Sequence, residues 1–150
     1  MRGTSIIRRG FTLIELIAVV VILAILAGVA LPRYFDYAAE AKVASTKGTL
    51  GGCRAGIANF LANEVITNGT AAYPVVADLN TIGNVMQETI PDNPYNDDNT
   101  VVLATSAEAA ARTVIAGGAG WAYYVDNALT PPAATFYANT DTASVSENDF

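Results

Sequence analysis

From Phe11 to Leu31 the chain is apolar on every side, with Thr12 and Glu15 the only polar side chains. A helix with no polar face is buried in lipid or in a packed bundle. The segment also matches the ~20 residues that cross a bilayer as a helix. Gly28 and Pro32 lie near its end. Proline removes a backbone donor and clashes with the carbonyl four residues earlier, here Gly28, and glycine is the weakest ordinary helix former. The pair predicts a kink or a locally unwound stretch. Beyond Pro32 the pattern turns amphipathic. Val43, Thr46, Leu50, Cys53, Ile57, Phe60 and Leu61 recur at steps of three and four, the face of a helix laid on a core. Asp36, Glu40, Lys42 and Lys47 fall mostly on the other side. The expectation is one helix from Phe11 to about Ala62, interrupted near Gly28–Pro32. Where regular, its ~50 residues span roughly 75 Å, so the apolar half is expected to project from the domain.

Asn68-Gly69 is a turn signal that closes this part. Leu79 to Glu88 has room for a short helix, and Ile90 to Asp98 is dense in turn formers. Val101–Thr105, Trp121–Val125 and Thr135–Ala138 read as strands, the last two joined through Pro131-Pro132. Trp121, Tyr123 and Val125 share one face of their strand, which is expected to lie on the amphipathic helix. The fold class is α+β: a long N-terminal helix whose amphipathic half packs on a small antiparallel sheet. The polar, acidic tail from Thr140 to Phe150 is expected to be mobile. The domain plan is therefore 1–10 as a leader, 11–32 as the apolar helix, 33–139 as the globular part and 140–150 as the tail.

Charge and composition narrow the partners. The 150 residues include 8 basic and 14 acidic ones, for a net charge of −6. Loss of residues before Phe11 would remove Arg2, Arg8 and Arg9 and leave the rest more acidic still. Nucleic acid is an unsuitable partner for such a surface, because phosphate binding relies on Lys and Arg. With no histidine and one cysteine, the chain has no Ser-His or Cys-His pair and no Cys/His zinc site of its own. An enzymatic role is not expected. Asp92, Asp97, Asp98 and Asp126 are calcium candidates by their oxygen chemistry, although the spacing is not that of an EF-hand, since Asp97 stands where glycine is required. Otherwise no cofactor is expected. Cys53 falls on the apolar helical face, the usual place of an inert thiol. Asn68-Gly69-Thr70 matches an N-glycosylation sequon, but reads first as a turn. Tyr34, Phe35 and Tyr37 suit the membrane edge or packing in an assembly.

Four readings compete for the N-terminus. A secretory signal would be cut near Gly28-Val29-Ala30, but Glu15 sits badly at the start of its apolar region. Arg8-Arg9 superficially matches a twin-arginine signal. A plain anchor with the arginines inside explains length and charge but not Glu15. An unpaired carboxylate in a membrane span costs at least ~2.5 kcal/mol. The fourth reading accounts for all of these residues. Gly10-Phe11-Thr12-Leu13-Ile14-Glu15 resembles the processing site of type IV pilins and type II secretion pseudopilins. The resemblance implies cleavage after Gly10 by a prepilin peptidase, N-methylation of Phe11, an assembly role for Glu15, and a pilin fold with a helix break at Gly28 and Pro32.

The resemblance further implies a structural subunit of a helical homo-oligomeric filament. It would work with an inner-membrane platform and an assembly ATPase. Its place would be the bacterial inner membrane first, as a single-pass protein, and an extracellular pilus or periplasmic pseudopilus afterwards. The major subunit of a type IV pilus is the favoured reading, with a pseudopilin as the alternative, since a cysteine pair to close a C-terminal loop is missing. A membrane-anchored binding module is the second alternative. A cut before Phe11 creates an ammonium group one helical turn from Glu15, where the helix dipole also favours a carboxylate. On this view Glu15 acquires its partner only through the cut, either within its own chain or from the ammonium of a neighbouring copy.

Overall fold

Thr46, Leu50, Cys53 and Ile57 are the buried residues of α1, which runs from Leu13 to Asn68. They are the three- and four-step positions of the amphipathic pattern, with Val43, Phe60 and Leu61 half-buried beside them. The computed structural model describes residues 10–142 and 145–150, so Met1 to Arg9 of the expected leader lie outside the described part. By its contacts the chain divides into two units, residues 1–40 and 41–150. In the first, every described residue from Gly10 to Glu40 is exposed. α1 is the one helix among the described residues long and apolar enough to cross a membrane.

Two features of α1 depart from expectation. It continues unbroken through Gly28 and Pro32. Proline in a helix interior costs roughly 3 kcal/mol, but the lost hydrogen bond is a single one. The turns on either side keep theirs and carry the helix through. It also extends to Asn68, past Ala62. The end falls where Asn68 Nδ2 donates to Glu64 Oε2 at 2.7 Å and Gly69 takes a left-handed φ of 69°, the backbone that commonly ends helices.

The second unit adds α2 (Val76–Leu79), β1 (Val101–Leu103), α3 (Ser106–Ala111), β2 (Trp121–Asp126), β3 (Ala133–Ala138) and a 3-10 turn (Glu147–Asp149). The sheet order is β1-β2-β3. β2 and β3 pair antiparallel, Trp121 opposite Ala138 and Asp126 opposite Ala133. β1 pairs parallel to β2, Val101 opposite Trp121, so the sheet is mixed rather than antiparallel. The cause is the connection. A hairpin reverses the chain in a few residues, whereas Ala104 to Gly120 holds α3 and returns the chain to the end it left, as parallel pairing requires.

Strand alternation sorts the side chains to two faces. Trp121, Tyr123, Phe136 and Ala138 join Leu50, Cys53 and Ile57 of α1 in the main core. Trp121 stacks on Phe136 with ring centroids 5.8 Å apart. Ala122 and Tyr137 face the other way and pack with Ala104 and Ala109. Both faces of the sheet are covered where Trp121–Tyr123 pairs with Phe136–Ala138, and these six residues are buried.

Polar atoms on these side chains tie the loops down. Trp121 Nε1 donates to the Pro91 carbonyl (3.0 Å), Tyr123 Oη to that of Pro74 (2.9 Å) and Tyr137 Oη to that of Thr113 (3.2 Å). Asn139 accepts from the Ile115 N–H and donates to the carbonyls of Ile115 and Ala119. The expected helix within Leu79–Glu88 is absent. α2 ends at Leu79, and the chain turns through Gly83 at a φ of 93°. The strand expected over Val101–Thr105 stops at Leu103 because Thr105 caps α3.

The tail is the largest correction. Glu147 is fully buried, and its carboxylate accepts the hydroxyl of Thr142 at 2.6 Å and the Thr142 N–H at 2.8 Å. The Phe150 carbonyl accepts from Arg54 (2.6 Å) and Arg112 (3.4 Å), and the Phe150 ring lies under Lys47 Nζ at 4.4 Å. A polar composition does not by itself make a tail mobile when its side chains find fixed partners, as Glu147 and Phe150 do here.

Candidate assembly site

Thr12 and Glu15 build the start of α1. The Thr12 N–H and hydroxyl both donate to Glu15 Oε2 at 2.8 Å, and the Glu15 N–H donates to Thr12 Oγ1 at 3.3 Å. This reciprocal pair is a capping box, which satisfies two helix-end donors that have no intrahelical acceptor. The sequence repeats it at Thr105 and Glu108, where the same three hydrogen bonds start α3. There the Thr105 N–H and hydroxyl hold the Glu108 carboxyl below its usual range.

Glu15 therefore has a partner in the uncut chain, which corrects the expectation that only a cut before Phe11 supplies one. Thr-x-x-Glu before an apolar run is a legible signal, and Thr12 is the residue that sequence reasoning passed over. The cap engages Oε2 alone. Oε1 accepts nothing among the described residues and is left for a second donor.

Around this carboxylate the surface is apolar and open. Phe11 is 80% exposed, and Leu13, Ile14, Leu16, Ile17 and Val20 are all at least half exposed or more. Gly10 is exposed too, and nothing lies within 4 Å of the position of a Cβ on it. Gly10 and Phe11 thus sit in accessible chain just ahead of the first helical turn. Gly28 and Pro32 are equally exposed inside the helix.

The remaining candidates lie in the second unit and do not converge. Among the described residues no three His, Cys, Asp or Glu side chains gather closely enough to share a metal ion. Asp98 instead accepts the hydroxyl and N–H of Thr100 at 2.5 and 2.6 Å, which holds its carboxyl below the usual range. Asp126 Oδ1 accepts from the Ala128 N–H. Asp92 and Asp97 are exposed. Cys53 is buried, and burial pushes its thiol up to about 11. Asn68, the sequon residue, closes α1.

The basic residues of the second unit are all engaged within it. Lys42 lies over the Tyr95 ring and Lys47 over Phe150. Arg54 donates through Nε and Nη2 to the Phe136 carbonyl (3.1 and 3.0 Å), and Arg112 donates to Phe150. Burial, with the nearby Arg112 charge, lowers the Arg54 pKa. Arg54 and Glu147 gave no motif to read, since each matters through partners far away in sequence.

Comparison with known proteins decides what the N-terminal arrangement belongs to. The family model described as the prokaryotic N-terminal methylation motif matches residues 7–31. Curated fimbrial proteins also match the chain, over up to 113 residues. The chain belongs to the type IV pilin family. This pilin-family chain is 37% identical over 94 residues to the type IV major fimbrial protein FimA of Dichelobacter nodosus, covering 61% of its own length and 58% of that protein. It is 34% identical over 113 residues to a fimbrial protein of Neisseria meningitidis serogroup A, covering 74% and 62%. To fimbrial protein EcpC of Eikenella corrodens it is 35% identical over 75 residues, 49% of either chain. The chain thus spans about half to three-fifths of these relatives' lengths. No solved structure matches it.

Proposed function

We propose that this chain is a structural subunit, the major one, of a type IV pilus filament. One observation carries the reading: every residue from Gly10 to Glu40 is exposed, and within that range Leu13 to Leu31 form a helix that is apolar but for Glu15. Such a surface requires lipid or copies of itself. The relatives, fimbrial proteins and major pilins by name, favour a pilus over a pseudopilus.

In this reading a prepilin peptidase cuts after Gly10, and the new Phe11 amine is methylated. The subunit waits in the inner membrane as a single-pass protein and then joins a filament whose core is made of these helices. It performs no chemistry itself, and an assembly ATPase and a membrane platform supply the work. Lipid tails are as apolar as the helix, so moving from membrane to filament gains little from the hydrophobic effect, and fit and charge must select the register. Glu15 Oε1, unoccupied by the cap, receives the Phe11 ammonium of an adjacent copy. The two opposite charges attract strongly in an apolar surround, whereas either one alone is costly there.

N-terminal mass spectrometry of the subunit, together with imaging of sheared surface material, tests the proposal. Fibres made of a chain that begins at methylated Phe11 are expected. A mature terminus at Ala30, or no processing, overturns it. Glu15→Ala is expected to insert and be cut while yielding few fibres. Full fibre yield from that variant removes the role given to Glu15.

A further inference from the structure

Met86 holds down a segment that has little else to hold it. From Asn80 to Thr89 every residue is exposed except Val85 and Met86, which are half-buried and pack against the main core. The segment's hydrogen bonds stay local. Thr81 Oγ1 donates to the Ala77 carbonyl, Asn84 Nδ2 to Asp78 Oδ1 and the Gly83 N–H to the Met86 carbonyl. Among the described residues no hydrogen bond joins residues 80–89 to α1. Their grip on the helix is therefore apolar contact at Val85 and Met86. A Cβ on Gly56 of α1 would lie 2.8 Å from Met86 Sδ and 3.1 Å from the Val85 carbonyl oxygen, so the sulfur sits on bare helix backbone.

We propose that Met86 is a site of reversible oxidation by hydrogen peroxide, and that its sulfoxide frees residues 80–89 from α1. Access is one condition. Met86 lines a groove of about 460 Å3 together with Ala55, Gly56, Asn59 and Gln87, ample for a molecule little larger than water, and Asn59 and Gln87 are exposed. The other condition is that little else in the chain competes for the oxidant. Met1 is the only other methionine. Cys53 is buried with its thiol pushed up to about 11, which withholds the reactive thiolate.

In the step, a lone pair of the Met86 sulfur attacks one peroxide oxygen. The S–O bond forms as the O–O bond breaks. The departing hydroxide takes the proton from the oxygen now on sulfur and leaves as water. Sulfur gives up two electrons and the peroxide gains them, so no further reactant is needed. The product replaces an apolar thioether by a polar sulfoxide. Where the sulfur meets Gly56, the helix N–H groups are already bonded within α1, so the new oxygen finds no donor there. An acceptor held in such a contact without a partner is costly, and Val85 alone is left to keep the segment in place. The opening stays local, because Leu79 and Ile90 remain buried in the core at its two ends.

The test treats the full chain in detergent with hydrogen peroxide. Peptide mass spectrometry is expected to find one added oxygen on Met86, formed at a rate within about tenfold of free methionine. Cleavage after the exposed Glu88 by a glutamate-specific protease should then be at least about fivefold faster, with Trp121 fluorescence unchanged. Methionine sulfoxide reductases should restore the original rate. Met86→Leu keeps an apolar side chain of similar volume and should make cleavage indifferent to peroxide, which separates this site from Cys53. Met86→Gln, polar without oxidation, should speed the cleavage with no peroxide present. Met86 left unmodified where free methionine is consumed overturns the site. Oxidised Met86 with an unchanged rate of cleavage overturns the release, as does a peroxide response that survives in Met86→Leu. None of these outcomes touches the pilus reading, on which the site does not depend.

Discussion

Leu13–Glu40 and Ala41–Asn68 belong to one helix, yet their side chains meet different fates. In the second stretch a stripe of four residues, Thr46, Leu50, Cys53 and Ile57, is buried by its own chain. In the first nothing is buried at all. Backbone geometry is common to both, so the difference lies in the pattern of side chains. A periodic stripe directs a helix to one partner within the molecule, and an unbroken apolar surface directs it to lipid or to other molecules. Stability should therefore be sensitive to the second stretch and assembly to the first.

The sharpest way to break this contrast is a pair of identical truncations. Leu50→Ala should cost about 2–5 kcal/mol, as deletion of a buried leucine does. Leu23→Ala, 59% exposed in the wild type, should change stability by less than ~0.5 kcal/mol. Denaturation of the full chain in detergent, followed by Trp121 fluorescence, measures both. Equal losses would mean that the first stretch is covered within the chain.

Two glycines of the second unit give a smaller contrast. A Cβ on Gly120 would sit 1.8 Å from the Asp98 carbonyl oxygen, so Gly120→Ala must move backbone and should cost about 1–3 kcal/mol. Gly51 has nothing within 4 Å of its Cβ position, and Gly51→Ala should stabilise α1 by about 0.4–1 kcal/mol. The same denaturation reports the signs.

Within the first stretch, the cap and the charge of Glu15 can be separated. Thr12→Ala should weaken the first turn by about 1 kcal/mol, visible as faster hydrogen exchange of the Glu15 amide, with fibre yield kept. Glu15→Gln keeps an acceptor for the cap and loses the charge, so it should show the reverse.

The smallest effect is an acid one. Thr100 holds Asp98 below the usual carboxyl range. A folded-state value lower than the unfolded one adds stability above the unfolded pKa, and this is lost as pH falls through the folded pKa. Asp98→Asn should therefore flatten the fall of Tm below the ordinary carboxyl range and lower Tm slightly near neutrality.

Much of this was legible because local pattern and tertiary role coincide. The positions Thr46, Leu50, Cys53 and Ile57 follow from helical spacing, and Trp121, Tyr123 and Phe136 from strand alternation. The parallel pairing of β1 was hidden, because a three-residue strand carries no mark of its direction. The burial of Glu147 was hidden too, since its partner Thr142 is no more unusual in sequence than any threonine. Continuity through Pro32 was misjudged by weighing one lost bond above the intact turns beside it. The Thr12–Glu15 cap was present as a motif, but its glutamate already had another reading.

Arg54 has a consequence for crowding. β3 is an edge strand, and open edges of neighbouring molecules invite one sheet to extend into the next. Here the Phe136 carbonyl is already taken by two guanidinium N–H groups, and the turn that contains Glu147 lies against the same strand. In the proposed fibre, where identical domains would stand side by side, that occupied edge would keep them from fusing through their sheets. Contact between subunits would then be left to the helices.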